Sequence, residues 1–125
     1  MTSTQSYVAD TITTASPTQL VLMMYDGALQ ALRRADVAGD QDAAPADAMA
    51  TTFDRELDRC TRILAELRNV LDHERGGEIA QNLDSLYTFC IDLLGDAVEL
   101  RSADPLNAVT EIVTTLRQTW AEAVC

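Results

Sequence analysis

The sequence predicts an all-α protein: an antiparallel up-down four-helix bundle over residues 16–125, preceded by a short N-terminal arm over residues 1–15. Three observations predict it. Apolar residues recur every three or four positions in four successive stretches, the period of a helix with a buried face. Start and stop signals (Ser16-Pro17, Gly39-Asp40, Gly76-Gly77, Asp104-Pro105) separate those stretches by short intervals, which favours antiparallel neighbours. The composition, 47 % hydrophobic but only 5 % aromatic with three Pro, suits helices better than a β-sandwich. At 125 residues the chain holds one domain with a single core.

Each element follows from local chemistry. Ser16 as N-cap, Pro17 at the first helical position and Gln19 two further on form a capping box. The first helix is therefore expected from about Pro17 to about Ala38, ending at Gly39-Asp40. Its apolar set is Leu20, Met24, Gly27 and Ala31, flanked by Val21, Tyr25, Ala28 and Leu32. Gly27 inside a helix costs about 1 kcal/mol relative to Ala, so close approach of another helix backbone or of a ligand chain is expected there. The second helix should start between Pro45 and Met49 and reach about His73, with Phe53, Leu57, Cys60, Leu64, Leu67 and Leu71 as one stripe. After the Gly76-Gly77 break, the third is expected from about Glu78 to Arg101, with Glu78 at the positive end of the helix dipole. Asp104 and Pro105 start the fourth, which continues through Val109, Val113, Leu116 and Trp120.

Charge narrows the function classes. The formal net charge is -11, and every basic residue is Arg. Nucleic acid is disfavoured as a partner, because such affinity comes from basic residues releasing counterions from phosphates. Anionic membranes are disfavoured for the same reason. The absence of Lys also rules out Schiff-base chemistry. No apolar run approaches the length of a bilayer span, and the N-terminal MTSTQSYVADTITT lacks the basic and apolar regions of a signal peptide. The expectation is a cytoplasmic protein.

Catalytic and metal constellations are weak, so no enzyme and no cofactor are expected. Cys60, Cys90 and Cys125 do not have a metal-ligand spacing, and Cys60 and Cys90 fall on apolar helix faces as small buried hydrophobes. At about 1.5 Å per residue from the turn, these two thiols lie at one level of the bundle. His73, the one histidine, reads as a solvated turn residue between Asp72 and Glu74. It cannot by itself supply the paired Glu-x-x-His motifs of a di-iron bundle. Gly76-Gly77 is not followed by the Lys-Ser/Thr of a phosphate loop.

The third helix carries more apolar surface than one seam requires. One stripe is Ile79, Leu83, Leu86, Cys90, Leu93 and Ala97; a second is Ala80, Tyr87, Ile91, Leu94 and Val98. Either the helix is central and covered on both sides, or part of the second stripe lines a groove for an amphipathic partner helix.

Two segments, ASPTQLVLMMYDGA from Ala15 to Ala28 and LDHERGGEIAQNLDSLY from Leu71 to Tyr87, resemble signature segments of the flagellar secretion chaperones, the FliS family. Tyr7, the row Leu57, Cys60, Ile63, Leu64 and Leu67, and the closing Leu116-Arg117 and Trp120 extend the resemblance over nearly the whole chain. Asp40 to Phe53 departs from it, being longer and richer in Ala. The resemblance implies an export chaperone that binds the disordered C-terminal segment of flagellin and prevents premature polymerisation. It thereby keeps flagellin competent for type III secretion. It also implies that the groove reading outweighs the covered-helix reading, and that the tyrosine-bearing arm covers a groove when no client is bound. Export-gate and regulatory proteins of the flagellum are further candidate partners, and a helical adaptor binding another protein is the alternative.

On this reading the partner-binding residues are expected to be Tyr7, Ile12, Leu22, Tyr25, Asp26, Leu29, Asn82, Leu83, Leu86, Tyr87, Ile91 and Leu94. Tyr25 has a second reading as core with its hydroxyl at the edge. Asp26 and Asn82 have one as solvated or backbone-bonding polar residues.

Overall fold

Ser16 and Gln19 cap each other reciprocally. The Gln19 N–H donates to Ser16 Oγ at 3.2 Å, and the Ser16 N–H donates to Gln19 Oε1 at 3.0 Å. From this start runs α1, Pro17–Asp40, followed by α2, Ala46–Asn69, α3, His73–Leu100, and α4, Leu106–Val124. The structure, a computed structural model, describes residues 16–40 and 46–124, and among these there is no strand. Tyr7 and Ile12, with the rest of the expected arm, lie outside the described residues.

The helices form a ring in which α1 packs on α2, α2 on α3, α3 on α4 and α4 on α1. The α1–α2 seam is the most extensive and the α3–α4 seam the thinnest. Small residues explain the first. Ala28, Ala31, Ala35 and Ala38 are all buried on α1, which lets α2 approach closely with its stripe of Phe53, Leu57, Cys60, Leu64 and Leu67. The stripe read from the sequence for the second helix is thus the core, except for half-buried Leu71, which lies beyond the helix because α2 ends at Asn69 and not at about His73. From α4, Leu106, Val109 and Val113 complete the interior.

One expectation is corrected and another is refined. A Cβ at Gly27 would meet the Ile63 side chain at 3.4 Å and Arg59 at 3.9 Å, ordinary contacts with side chains and not with a helix backbone. Gly27→Ala should therefore stabilise the protein by about 1 kcal/mol through helix propensity. A lower urea midpoint for this variant would contradict that. The expected start of the long third helix at Glu78, after the Gly-Gly break, is borne out, and one further helical turn from His73 precedes it within α3. Asp72 caps that turn, accepting from the Arg75 N–H at 3.1 Å, and the Asp72 carbonyl accepts from the Gly76 N–H at 2.8 Å. The Gly-Gly break survives as a kink, since Gly77 takes φ 50° and ψ -122° inside the element. At the other end Arg101 adopts the left-handed conformation and its N–H closes on Ala97 and Val98 carbonyls.

Tyr25 and Tyr87 meet inside the bundle, their hydroxyls 2.6 Å apart. This bond ties α1 to α3 across the ring. In Tyr25→Phe or Tyr87→Phe the remaining buried hydroxyl loses its mate, which should cost about 1–3 kcal/mol. The double variant removes both polar groups and should be less destabilising than the sum of the two. Urea unfolding of all four proteins measures this, and simple additivity would contradict the bond.

Four ionisable groups share this interior. Burial, then the nearby Cys90, pushes the Cys60 thiol up to about 12, and burial pushes Cys90 up to about 11. Burial also raises Tyr25, opposed by its bond to Tyr87, and raises Tyr87, helped by that bond. A folded-state value above the unfolded one means stability that is complete below the unfolded value and lost as pH rises through the folded one. Stability should therefore hold to about pH 9, where unfolded thiols ionise, and fall through pH 11–12. Urea midpoints across that range check it, and Cys60→Ala/Cys90→Ala should lessen the fall.

Candidate partner-binding site

The core seam of α3 runs between the two stripes seen in the sequence, and this decides what stays open. Ala80, Tyr87, Cys90, Leu94 and Ala97 are buried, a set drawn from both stripes. Tyr25, Tyr87 and Leu94, expected on a partner surface, are accordingly placed inside the bundle at 3 %, 2 % and 1 % exposure, where they pack in the core.

Two apolar grooves flank that seam. Between α3 and α4, Leu86, Ala108, Ile112, Thr115 and Leu116 line a groove of about 350 Å³, with Glu111 at its edge. Leu86 belongs to a longer row of i+3 and i+4 steps along α3: Ile79, Leu83, Leu86, Phe89 and Leu93. Ile79 is 71 % and Phe89 51 % exposed, an unusual run of large apolar surface. The thin α3–α4 seam is the physical reason, because α4 covers too little of α3 to hide this row. Between α2 and α3 lies a second groove of about 390 Å³, with Leu57, Ile91, Leu94 and Val98 as its apolar part.

The other expected site residues are distributed elsewhere. Asp26 is on the α1–α4 seam, accepting from Arg117 Nε at 2.8 Å and Nη2 at 3.4 Å. Both side chains are more than a third exposed, so solvent screening holds the pair to about 0–1 kcal/mol. Half-buried Leu22 and Leu29 lie one turn to either side of Asp26. Near them the Trp120 indole N–H donates to the Thr18 carbonyl at 2.9 Å, pinning the end of α4 to the start of α1. Asn82 is exposed. His73 is half-exposed, with Nε2 3.7 Å from Asp84 Oδ2. Among the described residues, the expected set thus separates into three core residues, Tyr25, Tyr87 and Leu94, an α1–α4 face, two groove flanks and the exposed Asn82.

Sequence reasoning missed Phe89, which falls on neither stripe, and Ala108 and Ile112. The spacing Ala108, Ile112, Leu116 was a usable signal: it is a second i+4 row beside the Val109–Val113 seam. No helix among the described residues is long and apolar enough to cross a membrane.

Fold and grooves together define a helical bundle of the kind that can take up an amphipathic segment of another chain. Comparison with known proteins gives the family. The family model described as "Flagellar protein FliS" matches residues 1–125, and the chain belongs to that family. Among its relatives, the flagellar secretion chaperone FliS of Campylobacter jejuni is 36 % identical over 107 residues, covering 86 % of this chain and 79 % of the relative. The FliS chaperone of Salmonella typhimurium is 33 % identical over 119 residues, 94 % of this chain and 84 % of its own.

Proposed function

We propose that this protein is a cytoplasmic export chaperone that holds the disordered C-terminal segment of flagellin in the groove between α3 and α4. Membership of the flagellar chaperone family supports the export role. The observation that carries the groove is the exposed row through Ile79, Leu86 and Phe89 beside Ile112 and Leu116. An assembly segment of flagellin presents apolar helix faces that would otherwise meet other copies of flagellin. Covering them here replaces the contacts of polymerisation.

The segment loses conformational entropy on binding, which offsets part of the contact energy and keeps release feasible. Holding and release need no covalent step and no nucleotide.

The test is a calorimetric titration of the purified protein with full-length flagellin and with flagellin lacking its C-terminal segment. Saturable binding of the first and none of the second is expected. Equal binding of both would overturn the assignment. Failure to bind either, with capture of a different partner, would favour a helical adaptor.

A further inference from the structure

We infer that the distal half of α4, Thr114–Val124, opens and closes as a unit in the free protein and is clamped shut by the segment that fills the α3–α4 groove. The identity of that segment rests on the flagellin reading; the opening of the free protein does not. Burial along α4 stops abruptly. Leu106, Val109 and Val113 are 2 %, 0 % and 0 % exposed, whereas from Thr114 to Ala123 no residue is buried. The facing stretch of α1, Pro17 to Met24, contains no buried residue either. A segment with few buried apolar contacts opens at far lower cost than the core it extends from.

Local chemistry points the same way. Thr114, Thr115 and Thr119 are β-branched and disfavour helix. The Thr119 hydroxyl donates to the Thr115 carbonyl at 2.9 Å, a back-bond that slightly loosens a helix. The last turn has no basic residue, and Glu122 stands there at the negative end of the helix dipole. What holds this half down is the partial burial of Leu116 and Trp120 and two tethers to α1. Those tethers, Arg117 to Asp26 and Trp120 to the Thr18 carbonyl, are both exposed, so water competes for each.

An occupied groove supplies what the free segment lacks. The α4 wall of the groove includes Thr115 and Leu116, so part of it belongs to the opening half. An occupant that touches Leu86 and Leu116 bridges α3 and α4 across their thin seam and gains contacts that only the closed form offers. Differential contact of this kind shifts the segment toward closed, and the apparent affinity in turn scales with the closed fraction.

The test is amide hydrogen exchange read by NMR on the full chain, free and saturated with the C-terminal segment of flagellin. In the free protein, residues 118–123 should exchange at similar protection and about a hundredfold faster than residues 110–113. The flagellin segment should slow the distal set about tenfold or more. Arg117→Ala/Trp120→Phe, at positions that do not line the groove, should speed distal exchange, leave residues 110–113 unchanged and weaken binding about threefold. Adding Thr114→Ala/Thr119→Ala, exposed substitutions that favour helix, should restore both protection and affinity. Equal protection along the whole of α4 in the free protein would overturn the proposal. A steady residue-by-residue rise in exchange toward the end would be ordinary fraying and overturn it too. So would a bound segment that leaves the distal amides as fast as before, or loosened and rescued variants that bind alike. Wild-type protein that binds no flagellin segment would fail the client reading alone, and the exchange profile of the free protein would still uphold or overturn the opening unit.

Discussion

Leu94→Asp should unfold the protein at room temperature. Leu94 is 1 % exposed on the buried seam of α3, and the new carboxylate would have no cation beside it in an apolar interior. Loss of the leucine contacts alone costs about 2–5 kcal/mol, and the unpaired charge adds to that. The sum approaches the whole stability of a small domain, about 5–15 kcal/mol. Ile91→Asp, one turn earlier, places its carboxylate at a half-buried position on the mouth of the α2–α3 groove, where it can reach water. That variant should fold with a lowered melting temperature. Circular dichroism on the two proteins checks the contrast. A cooperative, wild-type-like melt for Leu94→Asp would mean that the seam of α3 runs elsewhere.

Leu86→Glu should keep the fold and lose the client. At 37 % exposure the side chain can turn a charge into solvent, so the structural loss is small. An apolar face docking against Leu86, Ile112 and Leu116 would instead bury that carboxylate without a partner. Flagellin affinity should fall about tenfold to a hundredfold, equivalent to about 1.4–2.8 kcal/mol. Ile112→Glu on the facing helix should show the same loss, and Phe89→Glu a smaller one. Wild-type binding by folded Leu86→Glu would remove the α3–α4 groove from the mechanism.

The two substitutions also separate packing from recognition. Leu94 and Leu86 lie eight positions apart on one helix, and both are leucines within an apolar pattern. One faces the centre of the bundle and the other its thinnest seam. A sequence pattern reports that both are apolar, and it does not report how much of each a neighbouring helix covers.

From sequence alone came the helical class, the number and order of helices among the described residues, the capping box at Ser16 and the core stripe of α2. These depend on short-range rules: hydrogen bonds between residues three apart, a 3.6-residue period and the backbone limits of Pro and Gly. The family was legible as well, because its two signature segments are contiguous in the chain. Only the tertiary structure decided which side of α3 is buried. Two apolar stripes give α3 a wide arc of candidate seams, and the choice among them falls to the packing of α1, α2 and α4 around it. Alanines on α1 bring α2 in close, α4 covers α3 sparsely, and the seam settles between the stripes. Tyr25 and Tyr87 become a buried hydroxyl pair by that choice, and Ile79, Leu86 and Phe89 are left on the surface. Burial is a property of distances between helices far apart in sequence, which no local pattern encodes.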